Sequence, residues 1–215
     1  MSLNNGQSND KGSVENKRNK MEKYYQQAKE ALNNHQVIAF PTETVFGLGV
    51  FYDDEKAYEL LNKVKRRRED KPYTLMLYDL EEINKYAFIK KSVLNALKKF
   101  MPGPVTLLLR CKECVPAYVT HNTGVIGVRI PSNKEALDLL KYLEKPLLVP
   151  SANRADQKPA MNDKEVKEIF NDEVAVIIPG QSVGGLPSTI IDLTGNEIKL
   201  VRQGPVSLED IKKAL

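Results

Sequence analysis

Residues 105–130 read VTLLLRCKECVPAYVTHNTGVIGVRI, and this stretch decides the architecture. VTLLLR and VIGVRI are short runs of β-branched and aliphatic side chains bounded by polar residues, the composition of buried strands. The residues between them show no helical periodicity, so no crossover helix separates the two strands, and they are predicted to pair antiparallel. STIIDL at 188–193 and EIKLV at 197–201 repeat this arrangement near the end of the chain. Elsewhere strands alternate with helical patterns. The combination predicts an α/β (α+β) fold: a twisted, mixed parallel and antiparallel sheet flanked by helices.

Working outward, Met21, Tyr24, Tyr25, Ala28 and Leu32 recur at helical spacing and precede a strand, VIAF, that ends at Pro41. Asp53 and Asp54 are placed to cap a second helix, whose apolar stripe of Ala57, Leu60, Leu61 and Val64 runs into a basic cluster. That cluster is Lys63, Lys65, Arg66, Arg67 and Arg68, with Lys71 just beyond. Further elements are a strand at YTLML, helices at DLEEINKYA and KKSVLNALKKF, and a break at Pro102 to Pro104. Ser132 and Glu135 form a capping box for the helix through Leu143, and LLV leads to the loop that opens Pro150-Ser151. A helix over 163–170, the strand VAVII, a glycine-rich turn and a last helix capped by Ser207 complete the pattern. Residues 1–19 have almost no large apolar side chain and are predicted to form a flexible tail, leaving residues 20–215 as a single domain.

Composition narrows the function. Hydrophobic residues make up 41% and charged residues 28%, ordinary globular usage. No apolar run is long enough for a membrane span or a signal peptide, which predicts a cytoplasmic protein with no membrane partner. The net charge of +4 does not by itself mark a nucleic-acid binder; the local basic cluster matters more.

Four polar loops stand out: Pro41-Thr42-Glu43-Thr44, Lys65 to Pro72, Ser151-Ala152-Asn153 and Gly180 to Thr189. Loops at strand ends converge on the crevice of an open α/β sheet, where ligands bind. In extended conformation Lys65 and Arg67 would point the same way, two cations for a polyphosphate, although a dipole-complementing helix end also accounts for basic residues there. Gly180, Gly184 and Gly185 with Ser182, Ser188 and Thr189 can expose N–H groups and hydroxyls to an anion, or form an ordinary turn. There is no G-x-x-x-x-G-K-[ST] phosphate loop, no complete dinucleotide fingerprint at Gly47-Leu48-Gly49 and no G-x-S-x-G. His35 and His121 are the only histidines, which leaves a hydrolase triad little support. Cys111 and Cys114 make one C-x-x-C without the second pair a structural zinc needs, so no metal site from protein side chains is predicted.

The motifs resemble those of the YrdC/Sua5/YciO family, the L-threonylcarbamoyladenylate synthases. They run in the family's order: VIAFPTETVFGLG at 37–49, K-x-R and a following K-P at Lys65, Arg67, Lys71 and Pro72, PGPVTLLL at 102–109, GVRIPSN at 127–133, PLLVPSAN at 146–153, STIIDL at 188–193 and LVRQGP at 200–205. The resemblance implies a YrdC-like fold with a basic concave cleft. It implies a reaction in which L-threonine, bicarbonate or CO2 and ATP, with Mg2+ on the triphosphate, give L-threonylcarbamoyl-AMP and pyrophosphate. Partner proteins of the same pathway would then transfer the group to adenosine 37 of tRNA.

By the same resemblance Lys65, Arg67, Ser151 and Asn153 form the catalytic set. Thr42, Thr44, Lys71, Arg129, Pro150, Ser188 and Arg202 bind threonine or nucleotide. Lys65 and Arg67 are expected on the phosphates, Ser151 and Asn153 on phosphate or carboxylate, and Thr42 on the amino acid. Arg68 stands where many members have proline, and Tyr73 to Met76 with Tyr86 to Phe88 resemble the YciO-like branch, whereas Ser151-Ala152-Asn153 fits the synthases. The chain stops soon after LVRQGP, so the C-terminal domain of longer Sua5 proteins is not expected. Three other readings use the same cations: a double-stranded RNA or tRNA binder, a YciO-like paralogue with another nucleotide-dependent activity, and a carbamoyl-transfer domain like that of hydrogenase maturation proteins.

Overall fold

The computed structural model describes residues 8–66 and 72–215; Arg67, Arg68 and Lys71 lie outside them. Helix α1 (Ser8–Asn33) leads into β1 (Ile38–Phe40) and β2 (Gly47–Phe51), followed by α2 (Glu55–Lys65) and β3 (Thr74–Met76). Next come α3 (Ile83–Tyr86), α4 (Lys91–Leu97), β4 (Val105–Arg110), α5 (Ala117–Thr120), β5 (Val125–Arg129), α6 (Lys134–Leu143) and β6 (Leu147–Val149). The chain continues through α7 (Asp163–Phe170), β7 (Val176–Ile177), β8 (Thr189–Asp192), β9 (Lys199–Arg202) and α8 (Leu208–Ala214).

The strands form one sheet in the order β7-β1-β2-β6-β3-β5-β4-β8-β9. It is mixed as predicted: β4 with β5 and β8 with β9 pair antiparallel, while β3 with β5 and β4 with β8 pair parallel. Only the four-residue α5 interrupts the connection between β4 and β5.

Because side chains alternate along a strand, each strand feeds both faces of the sheet. On one face Ala39, Leu48, Val50, Leu75, Leu107, Val128 and Ile191 pack beneath α2, α4, α5, α7 and α8. On the other, Ile38, Phe40, Phe51, Leu147 and Val149 pack against Tyr25, Ala28 and Leu32 of α1 and Leu139, Leu140 and Leu143 of α6. The two helices of this second layer cover the half of the sheet built from β7, β1, β2 and β6. Over β3, β5, β4, β8 and β9 the alternate positions are Thr74, Gly127, Arg129, Thr106, Leu108 and Ile190, and they line a hollow instead of a core.

Three local expectations change. Helix α1 begins at Ser8, well before Met21, so residues 8–19, expected as a flexible tail, are helical. The side chains described there, at Glu15, Asn16 and 18–20, are exposed, and helix propagation from the packed turns accounts for those positions without burial. The N-cap of α6 is Asn133, whose side chain accepts from the Ala136 N–H, and not Ser132. Lys65 is the last residue of α2, and Arg66 closes that helix in the left-handed region (φ 51°, ψ 39°), so Lys65 does not sit on extended backbone.

Candidate functional site

The uncovered sheet face encloses a cavity of about 360 Å³. Strand residues make its floor; the 41–47 loop, Pro150-Ser151, Pro72-Tyr73 and Pro187-Ser188 make its rim. Four loops were expected to converge on the site, with Arg129 and Arg202 joining them by resemblance; the sheet's own side chains, Thr74, Thr106, Leu108 and Ile190 included, carry much of it. A sequence signal existed: Thr106 and Arg129 are polar residues inside otherwise apolar strands, and in the structure they are 2% and 7% exposed.

A chain of hydroxyls orders one wall. Thr42 Oγ1 donates to the Val45 carbonyl (2.7 Å), so its contact with Thr44 Oγ1 (2.9 Å) uses the Thr44 proton. Thr44 Oγ1 is then an acceptor for Arg129 Nη2 (3.0 Å). Thr42 Oγ1 also accepts from the Thr44 N–H (3.2 Å), so its hydroxyl is fully used within the protein and acts in holding this wall.

Across the cavity, Arg202 donates from Nε and Nη2 to the Ser188 carbonyl (3.0 and 2.9 Å) and from Nη2 to Ser188 Oγ (3.1 Å), which in turn contacts Thr106 Oγ1 at 2.8 Å. Although Arg202 is exposed as a residue, desolvation of its guanidinium and then the nearby charge of Arg129 lower its hold on its proton below the ordinary arginine value. Two guanidinium groups therefore act within one field, and among the described residues none that lines the cavity is a carboxylate. Such a hollow favours an anion.

Lys65 does meet Ser151 and Asn153, in a way the sequence did not suggest. Its ammonium, on a residue 3% exposed, donates to the carbonyls of Ser151 (2.6 Å) and Asn153 (2.8 Å) and to Asn153 Oδ1 (3.2 Å). It fastens the Ser-Ala-Asn loop to α2 from behind and is not among the cavity-lining residues. Asn153 Nδ2 donates to the carbonyls of Arg154 and Gln157 (2.8 Å each), which turns Oδ1 toward Ser151 Oγ at 2.6 Å. The Ser151 proton is thus spent on Asn153, and its lone pairs remain for a donor in the cavity. Pro150 lines the cavity, and its carbonyl receives the Leu48 N–H (3.0 Å).

Arg154 was not singled out from the sequence. Its guanidinium donates to the carbonyls of Val64 and Ile169 and pairs with Glu173, while stacking over Phe170 at 4.8 Å. It ties the C-terminal turns of α2 and α7 to the loop that carries Ser151. Only its place directly after Ser-Ala-Asn could have drawn attention.

The glycine-rich segment is a strap, not an open nest. The N–H groups of Ser182, Gly185 and Thr189 donate to the carbonyls of Met161, Thr44 and Pro104, and so are not presented to an anion. A Cβ on Gly184 would lie 2.5 Å from the Glu43 carbonyl oxygen, which is why the strap passes so close there. Away from the cavity, His35 pairs with Asp54 (2.7 Å), His121 contacts Tyr58, and Cys114 is exposed. Arg67 and Lys71 lie outside the described residues, and Pro72 beside them lines the cavity.

Fold and site together define an α/β protein that presents a hollow lined by two arginines on the open half of a mixed sheet. A family model described as "Sua5_yciO_yrdC: Telomere recombination" matches residues 30–204, and the chain belongs to that family. It is 35% identical over 182 residues to the threonylcarbamoyl-AMP synthase of Pyrococcus abyssi, covering 84% of this chain but 54% of that protein. It is 31% identical over 188 residues to YciO of Escherichia coli, covering 86% and 91%. The crystal structure of P. abyssi Sua5 complexed with L-threonine superposes with a TM-score of 0.85 at 33% identity, over 91% of this chain and 58% of that one. The chain therefore spans little more than half the length of that synthase.

Proposed function

We propose that the protein forms L-threonylcarbamoyl-AMP and pyrophosphate from L-threonine, bicarbonate or CO2 and ATP, for transfer to tRNA by a second enzyme. One observation carries this reading: Arg129 and Arg202 line one cavity together with Ser151, whose lone pairs are free, and no described lining residue is a carboxylate. The likeness to a synthase and to a structure holding L-threonine supports it.

In this reading the threonine amine adds to CO2 and loses a proton to give a carbamate. A carbamate oxygen attacks the α-phosphorus, the bond to the bridging oxygen breaks, and pyrophosphate leaves with the electron pair. Negative charge builds on phosphoryl and leaving oxygens, and fixed cations lower that barrier without a covalent enzyme intermediate. Arg129 and Arg202 take the phosphates. Ser151 Oγ, as an acceptor, takes an N–H or O–H of threonine. Lys65 holds Ser151 in place from behind. Magnesium would enter on the triphosphate and neutralise part of its charge, since the described cavity wall offers it no carboxylate.

The test is pyrophosphate release with ATP, Mg2+, L-threonine and bicarbonate. Release is expected only when all are present, with loss on omitting threonine or bicarbonate. Release that ignores threonine would point to another nucleotide-dependent activity, and salt-sensitive RNA binding without turnover would favour a binding module.

A further inference from the structure

The geometry points to Glu43 as a positioning residue that aims Arg129 at the bound anion; this rests on the proposed function only for the anion's identity. Glu43 does not line the cavity, yet its two oxygens bind two different elements. Oε1 accepts from Arg129 Nη2 at 2.7 Å, and Oε2 accepts from the backbone N–H groups of Ser132 (3.1 Å) and Asn133 (3.4 Å) at the start of α6. The carboxylate and guanidinium side chains are 17% and 8% exposed. An ionised carboxylate offers acceptors on both oxygens, and the N-terminus of a ten-residue helix favours its charge.

Arg129 itself carries an open demand. Its Nε is buried and has no hydrogen-bond partner, although Nη2 has two. A buried charged donor left unpaired is costly, and such groups are rare unless something fills the gap. Arg129 lines the cavity, and since Nε is closed off, the nitrogen left for a ligand oxygen is Nη1, which makes no hydrogen bond to any described residue. With Nη2 held by Glu43 and Thr44, the guanidinium plane is fixed before a ligand arrives. Preorganisation of this kind is what makes a fixed cation effective in transfer chemistry.

Glutamine at position 43 has one acceptor oxygen; its amide nitrogen must face either Arg129 or the N–H groups of α6, donor against donor. Aspartate keeps the charge but is one methylene too short to span both. The experiment titrates inorganic pyrophosphate by calorimetry into the wild type, Glu43→Gln, Glu43→Asp, Arg129→Met and Glu43→Gln with Arg129→Met, with melting temperatures measured beside each. Affinity is expected to fall about tenfold in Glu43→Gln and in Arg129→Met, without rescue by Glu43→Asp, and the double variant to bind no more weakly than Arg129→Met alone. Glu43→Gln binding as tightly as the wild type or tighter, rescue by aspartate, or losses that multiply in the double variant would each overturn the assignment. Wild-type turnover is measured separately, so absence of threonine-dependent turnover with the coupling intact rejects the proposed reaction and leaves Glu43 in its role.

Discussion

Lys65 shows how a residue can be placed correctly and still act differently from its motif. A lysine at the end of an amphipathic helix reads as a solvated cation or a phosphate ligand, and the partners that decide between these lie 86 and 88 positions away. Its ammonium meets two main-chain carbonyls and one amide oxygen. Leaving a buried acceptor unsatisfied costs about 1–3 kcal/mol, so Lys65→Met is expected to destabilise the protein by on the order of 3 kcal/mol. Urea unfolding measures that loss, and the proposed turnover should fall with it because Ser151 loses its support. Unchanged stability in Lys65→Met would mean the ammonium is not what holds the loop. Ser188 illustrates the opposite case. The glycine-rich loop and likeness to the family both marked it as a candidate anion or nucleotide contact, and the structure gives it a physical task, accepting from Nε and Nη2 of Arg202 through its carbonyl.

At the scale of elements, the site is assembled by helix ends. The C-terminal turns of α2 and α7 have carbonyls without intrahelical partners, and Arg154 satisfies Val64 and Ile169 with one guanidinium. Glu173 completes that hub, and the Arg154 hydrogen bond holds its carboxyl below the usual carboxylate value of 4.5. A carboxylate with a depressed folded pKa contributes stability above its unfolded pKa and loses it as pH falls through the folded one. Glu173→Gln should therefore be less stable than the wild type at neutral pH, with the difference closing as pH drops below about 4.5. Denaturant midpoints between pH 3 and 7 follow this; a gap that persists at the acid end would show that charge is not its cause. The capping of α6 belongs to this scale too. Ser132 and Glu135 have the spacing of a capping box, but the Ser132 N–H is taken by Glu43 from a distant loop, and Asn133 caps instead.

For the whole molecule, one sheet has two unlike coverings. Its fully covered face builds a continuous core, while α1 and α6 leave half of the other face open for the cavity. Several tyrosines are packed between these layers and their loops; burial pushes Tyr25 and Tyr86 up to about 12. An unfolded tyrosine ionises near the ordinary value of 10.0, so stability is expected to hold below that pH and decline as pH rises from there toward 12. Chemical unfolding across that range, with Tyr25→Phe showing a shallower decline, tests it; a flat profile would contradict the buried phenols. The sequence alone determined the mixed sheet, because strand composition and the absence of a crossover helix at 105–130 are local properties that survive in any tertiary setting. It also determined which loops are special, through their polar residues beside apolar strands. Only the tertiary structure decided that one half of the second face stays open as a hollow, that Lys65 braces a loop, and that Glu43 and Arg154 join distant elements. Those outcomes depend on which half of a face the helices cover and on hydrogen bonds spanning much of the chain, and neither is written in any local pattern of side chains.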